Sequence, residues 1–211
     1  MSAAKPIGSV RERLLGAAND LFYREGVQTV GIDRILERAG VAKASLYSTY
    51  GSKDELVRAY LEMRVRELKE RIERRIASSD DPRERILAVF DGLVERVEEG
   101  SYFGCPFVRA CAEAPPPPNP ARDVTEAFRT WRQDLFARLA KDAGSRQPDV
   151  TARQLAILYD GAAVGASMSD GLSAAEAARE AVERLLDEHT GASSSKKKTK
   201  KQAPGRKART K

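Results

Sequence analysis

The stretch ILERAGVAKASLYSTYGSKDEL, residues 35–56, constrains the fold more than any other part of the sequence. Ile35 belongs to an apolar helical pattern that stops at Gly40, and glycine commonly ends helices because it tolerates a left-handed backbone. Ser52 and Glu55 have the spacing of a capping box, in which the two side chains satisfy free N–H groups at a helix start. The stretch therefore predicts a short helix held between a tight turn and the start of another helix.

Helical periodicity recurs along most of the chain, whereas strand patterns are scarce. Ser9 with Glu12 predicts the start of a first helix, which Gly26 is placed to end. Asp81 followed by Pro82 predicts another helix start, because proline fits the first helical position. Other helices are predicted from Ser52 over about seven turns, from Pro106, from Val124 to Leu139, from Leu155 to Ala166, and from Ser173 with Glu176 as a capping box. The sequence predicts an all-α protein of about nine helices.

The charge is unevenly distributed and separates a tail from the body. The chain carries 37 basic and 31 acidic residues, a net charge of +6. Nine of the basic residues lie in 196–211, which contains no acid, so the rest of the chain has a net charge of −3. We expect residues 191–211 to be disordered, because their composition cannot offset chain entropy. We assign 1–60 to a helix–turn–helix domain and 61–190 to a second helical domain.

Several classes of protein are disfavoured by what the sequence lacks. No export signal precedes the first helix, and no apolar run approaches the roughly 20 residues of a membrane span, so we expect a cytoplasmic protein without membrane contact. Cys105 and Cys111 do not share a helical face, and His189 is the only histidine. We therefore predict no metal site and no cofactor. Without a nucleophile–base arrangement or a glycine-rich phosphate loop, we do not expect an enzyme.

The corner around Gly40 has the form of a DNA-binding helix–turn–helix. The major groove of B-DNA accepts one helix, whose N-terminal side chains reach the base edges. Residues predicted to face outward on the second helix are Lys43, Ala44, Ser45, Tyr47, Ser48 and Thr49. Thr29, Ser52 and Lys53 stand at helix starts, where free N–H groups favour a phosphate. Similar corners occur where nothing binds, and the spacing alone leaves both interpretations open.

The amino-acid sequence of this stretch resembles that of the N-terminal domain of the TetR family of bacterial transcriptional regulators. That family has a pattern close to Val-Ser-Lys-Gly-Thr-Leu-Tyr-Tyr-His-Phe-Gly-Ser-Lys-Glu-Glu-Leu where this chain reads VAKASLYSTYGSKDEL, residues 41–56. The resemblance covers about the first 60 residues. It implies that Lys43, Ser45, Tyr47 and Thr49 face DNA, with Tyr47 and Lys53 on phosphates. Ser48 and Thr49 replace the common aromatic–histidine pair, and short hydroxyls discriminate bases poorly.

The second domain resembles, in YFGCPFVRACAE and LYDGA, the C-terminal domain of one subgroup of that family. The resemblance implies a small-molecule effector site and dimerisation through the last two helices. The effector-site candidates are Phe90, Tyr102, Phe103, Phe107, Cys111, Phe128, Trp131, Tyr159 and Asp160. Aromatic residues at helical spacing are more often plain core, and Asp160 has an interhelical hydrogen bond as its alternative role. Small residues Ala162, Gly165 and Ala166 suggest the two-fold seam of the dimer.

These features predict a ligand-responsive repressor that binds a palindromic site in double-stranded DNA as a homodimer. The alternative is a nucleoid-type protein whose basic tail coats DNA with little sequence preference. The two differ in the effect of sequence and salt on binding, because non-specific affinity arises mainly from counterion release.

Overall fold

A computed structural model describes residues 8–113, 119–168 and 171–190 of the chain. All the regular secondary structure of these residues is α-helical, so the predicted all-α fold class is confirmed. The helices are α1 (Val10–Glu25), α2 (Ile32–Ala39), α3 (Lys43–Tyr50), α4 (Lys53–Ile76), α5 (Pro82–Glu98), α6 (Pro106–Glu113), α7 (Pro120–Asp142), α8 (Pro148–Gly165) and α9 (Gly171–Thr190).

The caps predicted for the first helices are present. The Ser9 side chain accepts the N–H of Glu12, and the Glu12 carboxylate accepts the N–H of Ser9 at 2.8 Å, which completes the capping box. Gly40 follows α2 with φ 62° and ψ 45°, a left-handed conformation that a side chain disfavours. The Ser52 side chain accepts the N–H of Glu55 at 3.1 Å and starts α4 directly after the short α3.

Helix α4 connects two hydrophobic cores. Its first half contributes Leu56 and Leu61 to a core that it shares with α1, α2 and α3. Its second half contributes Ile72 to a core formed by α5, α7, α8 and α9. Because one uninterrupted helix belongs to both cores, the assigned boundary at residue 60 falls inside a helix and remains a prediction.

The second core is a bundle in which α7 lies along α8, and α9 packs on both α5 and α8. Phe90 and Phe136 are 1% and 0% exposed, and their stacked rings lie at the centre of this bundle. The short α6 packs on α7 and α4, between the bundle and the N-terminal core. This position lets α6 contact both halves of the molecule.

Two predictions about the last helices are wrong. Helix α9 begins at Gly171 and not at Ser173, so Ser173 lies in its first turn and does not precede it. The small residues Ala162 and Ala166 are only 3% and 6% exposed. A Cβ atom on Gly165 would lie 2.9 Å from that of Ala174, so this face packs on α9 of the same chain. It is therefore not the predicted two-fold seam with a second chain.

The four consecutive prolines Pro115–Pro118, whose sequence predicts a stiff interhelical loop, lie outside the described residues, and so do residues 191–211, for which disorder is predicted. Among the helices that are described, none is long and apolar enough to span a membrane.

Candidate nucleic-acid interface and effector cavity

The turn between α2 and α3 is fixed by backbone and side-chain hydrogen bonds. The N–H of Val41 donates to the carbonyl of Leu36 at 3.1 Å, beside the left-handed Gly40. Arg13 on α1 donates from Nη1 to the carbonyl oxygens of Ala39 and Gly40, each at 3.2 Å. These carbonyls end α2 and have no helical partner, so Arg13 satisfies them and ties the turn to α1.

Two buried residues on the inward face of α3 anchor this helix to the N-terminal core. Leu46 is fully buried in the N-terminal core, and Tyr50 is 8% exposed. The Tyr50 hydroxyl donates to the carbonyl of Arg11 at 3.1 Å, and the Arg11 guanidinium lies 4.8 Å from the Tyr50 ring centroid. The positioning roles of Arg13 and Tyr50 were not predicted from the sequence, although Tyr50 follows Leu46 by four residues and therefore shares its inward face.

The predicted DNA-facing residues of α3 lie on its outer side. Lys43, Ala44, Tyr47 and Ser48 are exposed, while Ser45 and Thr49 are partly buried. The Tyr47 side chain is the most prominent apolar group there, with the residue 46% exposed. The Lys43 ammonium lies 3.9 Å from the carboxylate of Asp33, and both side chains are largely exposed. Such a surface ion pair is weak, so Lys43 is free to exchange Asp33 for a phosphate or a base.

The three predicted phosphate contacts have different surroundings. Thr29 is exposed in the turn before α2, and Ser52 caps α4 with its oxygen while its hydroxyl hydrogen remains able to donate. Lys53 is partly buried, with its ammonium 6.0 Å from the Phe22 ring centroid, and burial lowers its pKa. A phosphate contact therefore requires the Lys53 side chain to swing outward.

A cavity of about 140 Å³ lies between the two cores, and we call it the tyrosine cavity after Tyr23, Tyr102 and Tyr159. It is lined by residues of α1, α4, α5, α6, α7, α8 and the segment before α6. The other residues that line it are Arg64, Glu67, Leu68, Arg71, Arg96, Glu99, Ser101, Cys105, Pro106, Phe107, Phe128 and Ala163. Its walls thus combine aromatic surface with several arginines.

Burial keeps two tyrosines of this cavity, Tyr102 and Tyr159, in the neutral form. The Tyr102 hydroxyl donates to the carbonyl of Ala163 at 2.8 Å, and the Arg96 guanidinium lies 4.8 Å from the Tyr102 ring centroid. Burial raises the pKa of Tyr102 and of Tyr159 above the ordinary value for a phenol. Burial also raises the pKa of the Cys105 thiol, which keeps it protonated and poorly nucleophilic.

A second cavity, of about 460 Å³, adjoins the first between α6 and α7, and we call it the α6–α7 cavity. The two cavities share Cys105, Phe107 and Phe128 in their walls. At the α6–α7 cavity, Arg132 of α7 is 2% exposed and donates from Nη2 to Asp160 of α8 at 2.7 Å. The charge of Arg132, the buried cation of this cavity, is therefore already neutralised by Asp160.

The structure divides the nine effector-site candidates into four groups. Phe107 and Phe128 line both cavities, Tyr102 and Tyr159 line the tyrosine cavity, and Cys111 and Asp160 line the α6–α7 cavity. Phe90, Phe103 and Trp131 line neither of these cavities, and each of them packs against a different aromatic side chain. Phe90 stacks on Phe136 in the bundle core, Phe103 packs on Tyr23, and Trp131 stacks on Phe128.

Helix α6 is tied to the N-terminal helices by a set of contacts that we call the α6 clasp. The Glu113 carboxylate accepts the N–H of Gln28 at 2.9 Å and the Nε–H of Arg109 at 3.1 Å. Arg109 also donates to the carbonyl of Arg24, at the end of α1, at 3.2 Å. Gly26 stands at the centre with φ +99°, and a Cβ atom there would lie 2.5 Å from Glu113 Oε1. Only glycine combines that backbone with so close a carboxylate.

Family models match both halves of the chain. The model for bacterial regulatory proteins of the tetR family matches residues 14–60. The model described as the tetracyclin repressor-like C-terminal domain matches residues 82–186. The first match contains α2, α3 and the turn at Gly40, and the second contains most of the residues that line the two cavities.

Solved and curated relatives have similar descriptions. The crystal structure of SCO4454, a TetR-family transcriptional regulator from Streptomyces coelicolor, is 32% identical with a TM-score of 0.82, over 86% of this chain and 96% of that one. The transcriptional regulator LmrA of Bacillus subtilis is 32% identical over 59% of this chain and 68% of its own. The transcriptional activator FasR of Mycolicibacterium smegmatis is 29% identical over 64% of this chain and 60% of its own.

Proposed function

We propose a specific role for this chain, which belongs to the TetR family of bacterial transcriptional regulators and carries that family's DNA-binding helix–turn–helix. In this proposal the chain binds a palindromic operator as a homodimer, and binding of a small-molecule effector releases it from the operator. One observation carries the proposal. Helix α3 presents Lys43, Ala44 and Tyr47 to solvent on a support that Gly40 and Arg13 hold rigid. With eight residues, α3 is about 12 Å long, a suitable length for the major groove.

An apolar surface on the last two helices supports the homodimer. Ile157 of α8 is 70% exposed, Met168 after α8 is 66% exposed, and Leu172 of α9 is 37% exposed. Gly161 stands one turn beyond Ile157, and a Cβ atom there would meet nothing within 4 Å. A second chain could thus approach the α8 backbone closely at Gly161, and a two-fold axis would place the same residues opposite each other.

Dimerisation sets the geometry of the operator. Two α3 helices related by a two-fold axis bind half-sites about 34–36 Å apart, one turn of B-DNA, or a multiple of that distance. A change in the separation of the two helices then weakens binding without any change in α3 itself. The DNA of a bacterium lies in the cytoplasm, so we place the protein there.

The α6 clasp supplies a route from the cavities to the DNA-binding helices. Phe107 of α6 lines both cavities, and Glu113, less than two turns further along the same helix, accepts the N–H of Gln28 ahead of α2. A ligand that displaces α6 therefore moves Glu113 relative to Gln28. Because α1 and α2 support α3, such a displacement changes the separation of the reading helices.

We infer that binding represses transcription. The C-terminal match is to a domain described as tetracyclin repressor-like, which supports this sign. FasR, which is named a transcriptional activator, is 29% identical to this chain over the matched residues, so a reporter assay tests the sign directly. Expression of the chain in trans should lower transcription from a promoter that carries the operator.

Selection of bound DNA from a random pool, repeated with candidate ligands, tests the proposal. We expect an inverted repeat to be enriched, and a ligand to reduce its recovery. Recovery of sequences that share no motif, with affinity set by salt alone, would instead indicate sequence-independent coating.

A further inference from the structure

We propose that the tyrosine cavity binds a small carboxylic acid whose apolar part is about the size of one six-membered ring, with the carboxylate at Arg96. This inference deepens the proposed function and rests on it, since it names the chemical class of the effector. It draws on three properties of the cavity: its volume, its apolar wall and the distribution of charge around it.

The volume limits the apolar part of the ligand. At about 140 Å³, the tyrosine cavity is close to the roughly 150 Å³ of an engineered cavity that binds benzene. The apolar part of the lining includes Leu68, Phe107 and Phe128. The rings of Phe107 and Phe128 are stacked with centroids 4.6 Å apart, so they form one rigid surface for a flat or cyclic group.

The distribution of charge favours an anion inside the cavity. The three arginines of the lining are partly buried, whereas the two acids, Glu67 and Glu99, are exposed. Glu67 is engaged by Arg64 at 3.5 Å, and the Glu67 side chain is 48% exposed. The acids therefore stay hydrated and are screened, while the cations lie where water is restricted.

Arg96 lines the tyrosine cavity from α5 and is available to an anionic partner. Among the described residues, no carboxylate lies within ion-pair distance of its guanidinium, which instead lies over the Tyr102 ring at 4.8 Å. Arg64, by comparison, pairs with Glu67 and lies 3.8 Å from the Tyr23 ring centroid. A guanidinium presents paired donors that match the two oxygens of a carboxylate, so a carboxylate can form two hydrogen bonds with Arg96.

The adjoining α6–α7 cavity lacks this property. Its buried cation, Arg132, is held by Asp160 at 2.7 Å, and Arg129 lies 3.7 Å from the same carboxylate. An anion entering there would compete with a carboxylate that the protein already supplies. The unpaired Arg96 thus distinguishes the tyrosine cavity as the anion site.

Calorimetric titration of the full chain with benzoate, benzamide and acetate tests the charge and the ring separately. Benzamide keeps the ring and the shape of benzoate but has no charge, and acetate keeps the charge but has no ring. We expect benzoate to bind at one molecule per chain, at least about tenfold more tightly than either of the other two, because a charge-assisted pair is lost in one case and apolar contact in the other.

Arg96→Gln removes the cation, and Arg96→Lys retains it. We expect Arg96→Gln to bind benzoate and benzamide equally, and Arg96→Lys to recover part of the preference. Arg74→Gln is the matched control, because Arg74 is an exposed arginine of α4 that does not line the tyrosine cavity. Thermal unfolding of each variant shows whether it is folded before its titration is compared.

The proposal is overturned if benzoate shows no binding at millimolar concentration, if benzamide binds as tightly as benzoate, or if Arg96→Gln retains the preference. Operator selection without ligand separates this result from failure of the proposed function. A chain that selects an inverted repeat but ignores benzoate contradicts only the effector class. A chain that selects no motif contradicts the proposed function, whatever the titration shows.

Discussion

Asp160→Ala should destabilise the protein markedly, because the substitution leaves a buried cation without its ion-pair partner. Arg132 is 2% exposed, and its side chain contacts Asp160 at 2.7 Å. Its Nε atom is buried and donates to no acceptor among the described residues. The remaining neighbours of its guanidinium are aromatic: the Tyr159 and Phe128 ring centroids lie at 5.0 Å and 5.7 Å. Removal of Asp160 leaves Arg132 without an ion-pair partner among the described residues.

The expected loss is about 3 kcal/mol, the lower end of the range of about 3–5 kcal/mol for breaking a buried ion pair. Two features favour the lower end. The Asp160 side chain is 27% exposed, which already weakens the pair, and the α6–α7 cavity beside it has room for water to solvate Arg132. For a chain of this size, about 3 kcal/mol corresponds to a fall of about 6–12 °C in Tm.

A double-mutant cycle in urea, at one protein concentration, measures the pair. Urea is preferred to guanidinium because it does not screen charges. Arg132→Met with Asp160→Ala should be more stable than the sum of the single variants predicts, by about 2 kcal/mol. Asp134→Ala, at an exposed acid of α7, is the control and should change stability by less than about 0.5 kcal/mol. Additive single effects, or an Asp160→Ala loss no larger than that of the control, would refute the reasoning.

Other predictions concern the dimer, the operator and the α6 clasp. Ile157→Glu should yield a monomer in light scattering at micromolar concentration, whereas Val10→Glu, another exposed apolar position, should not; a dimeric Ile157→Glu chain would place the seam elsewhere. Lys43→Ala should weaken operator binding in fluorescence anisotropy by about 1–3 kcal/mol, and unchanged affinity would exclude a DNA contact. Gly26→Ala should cost about 1–3 kcal/mol of stability in urea, because alanine is strained at φ +99°; a wild-type midpoint would contradict that strain.

Local signals in the sequence predict the N-terminal corner well. The capping box of Ser9 and the left-handed Gly40 act over three or four residues, so their spacing alone fixes where helices begin and end. The capping pattern of Ser173 is misleading, because Ser and Glu also occur inside the first turn of a helix. Helix α9 already includes Gly171, so Ser173 lies within its first turn.

Longer-range properties could not be derived from spacing. The small residues Ala162 and Ala166 permit close helix packing, but spacing does not reveal whether the partner belongs to the same chain, as it does here, or to another. Phe90 and Phe128 have the same aromatic character, yet one is bundle core and the other lines both cavities. Whether a cation has a carboxylate partner, as Arg132 has and Arg96 lacks within the described part of the chain, likewise depends on the packing of distant helices.

The central claim, that α3 reads a palindrome in a dimer, is tested most directly by an altered-specificity selection. Ala44 is exposed near the start of α3, and glutamine there can pair with adenine through two hydrogen bonds. Selection from a random pool with the wild type and with Ala44→Gln should give two inverted repeats that differ only at a symmetry-related pair of positions, where the variant prefers adenine. Identical motifs from both proteins, or no inverted repeat from the wild type, would contradict the claim.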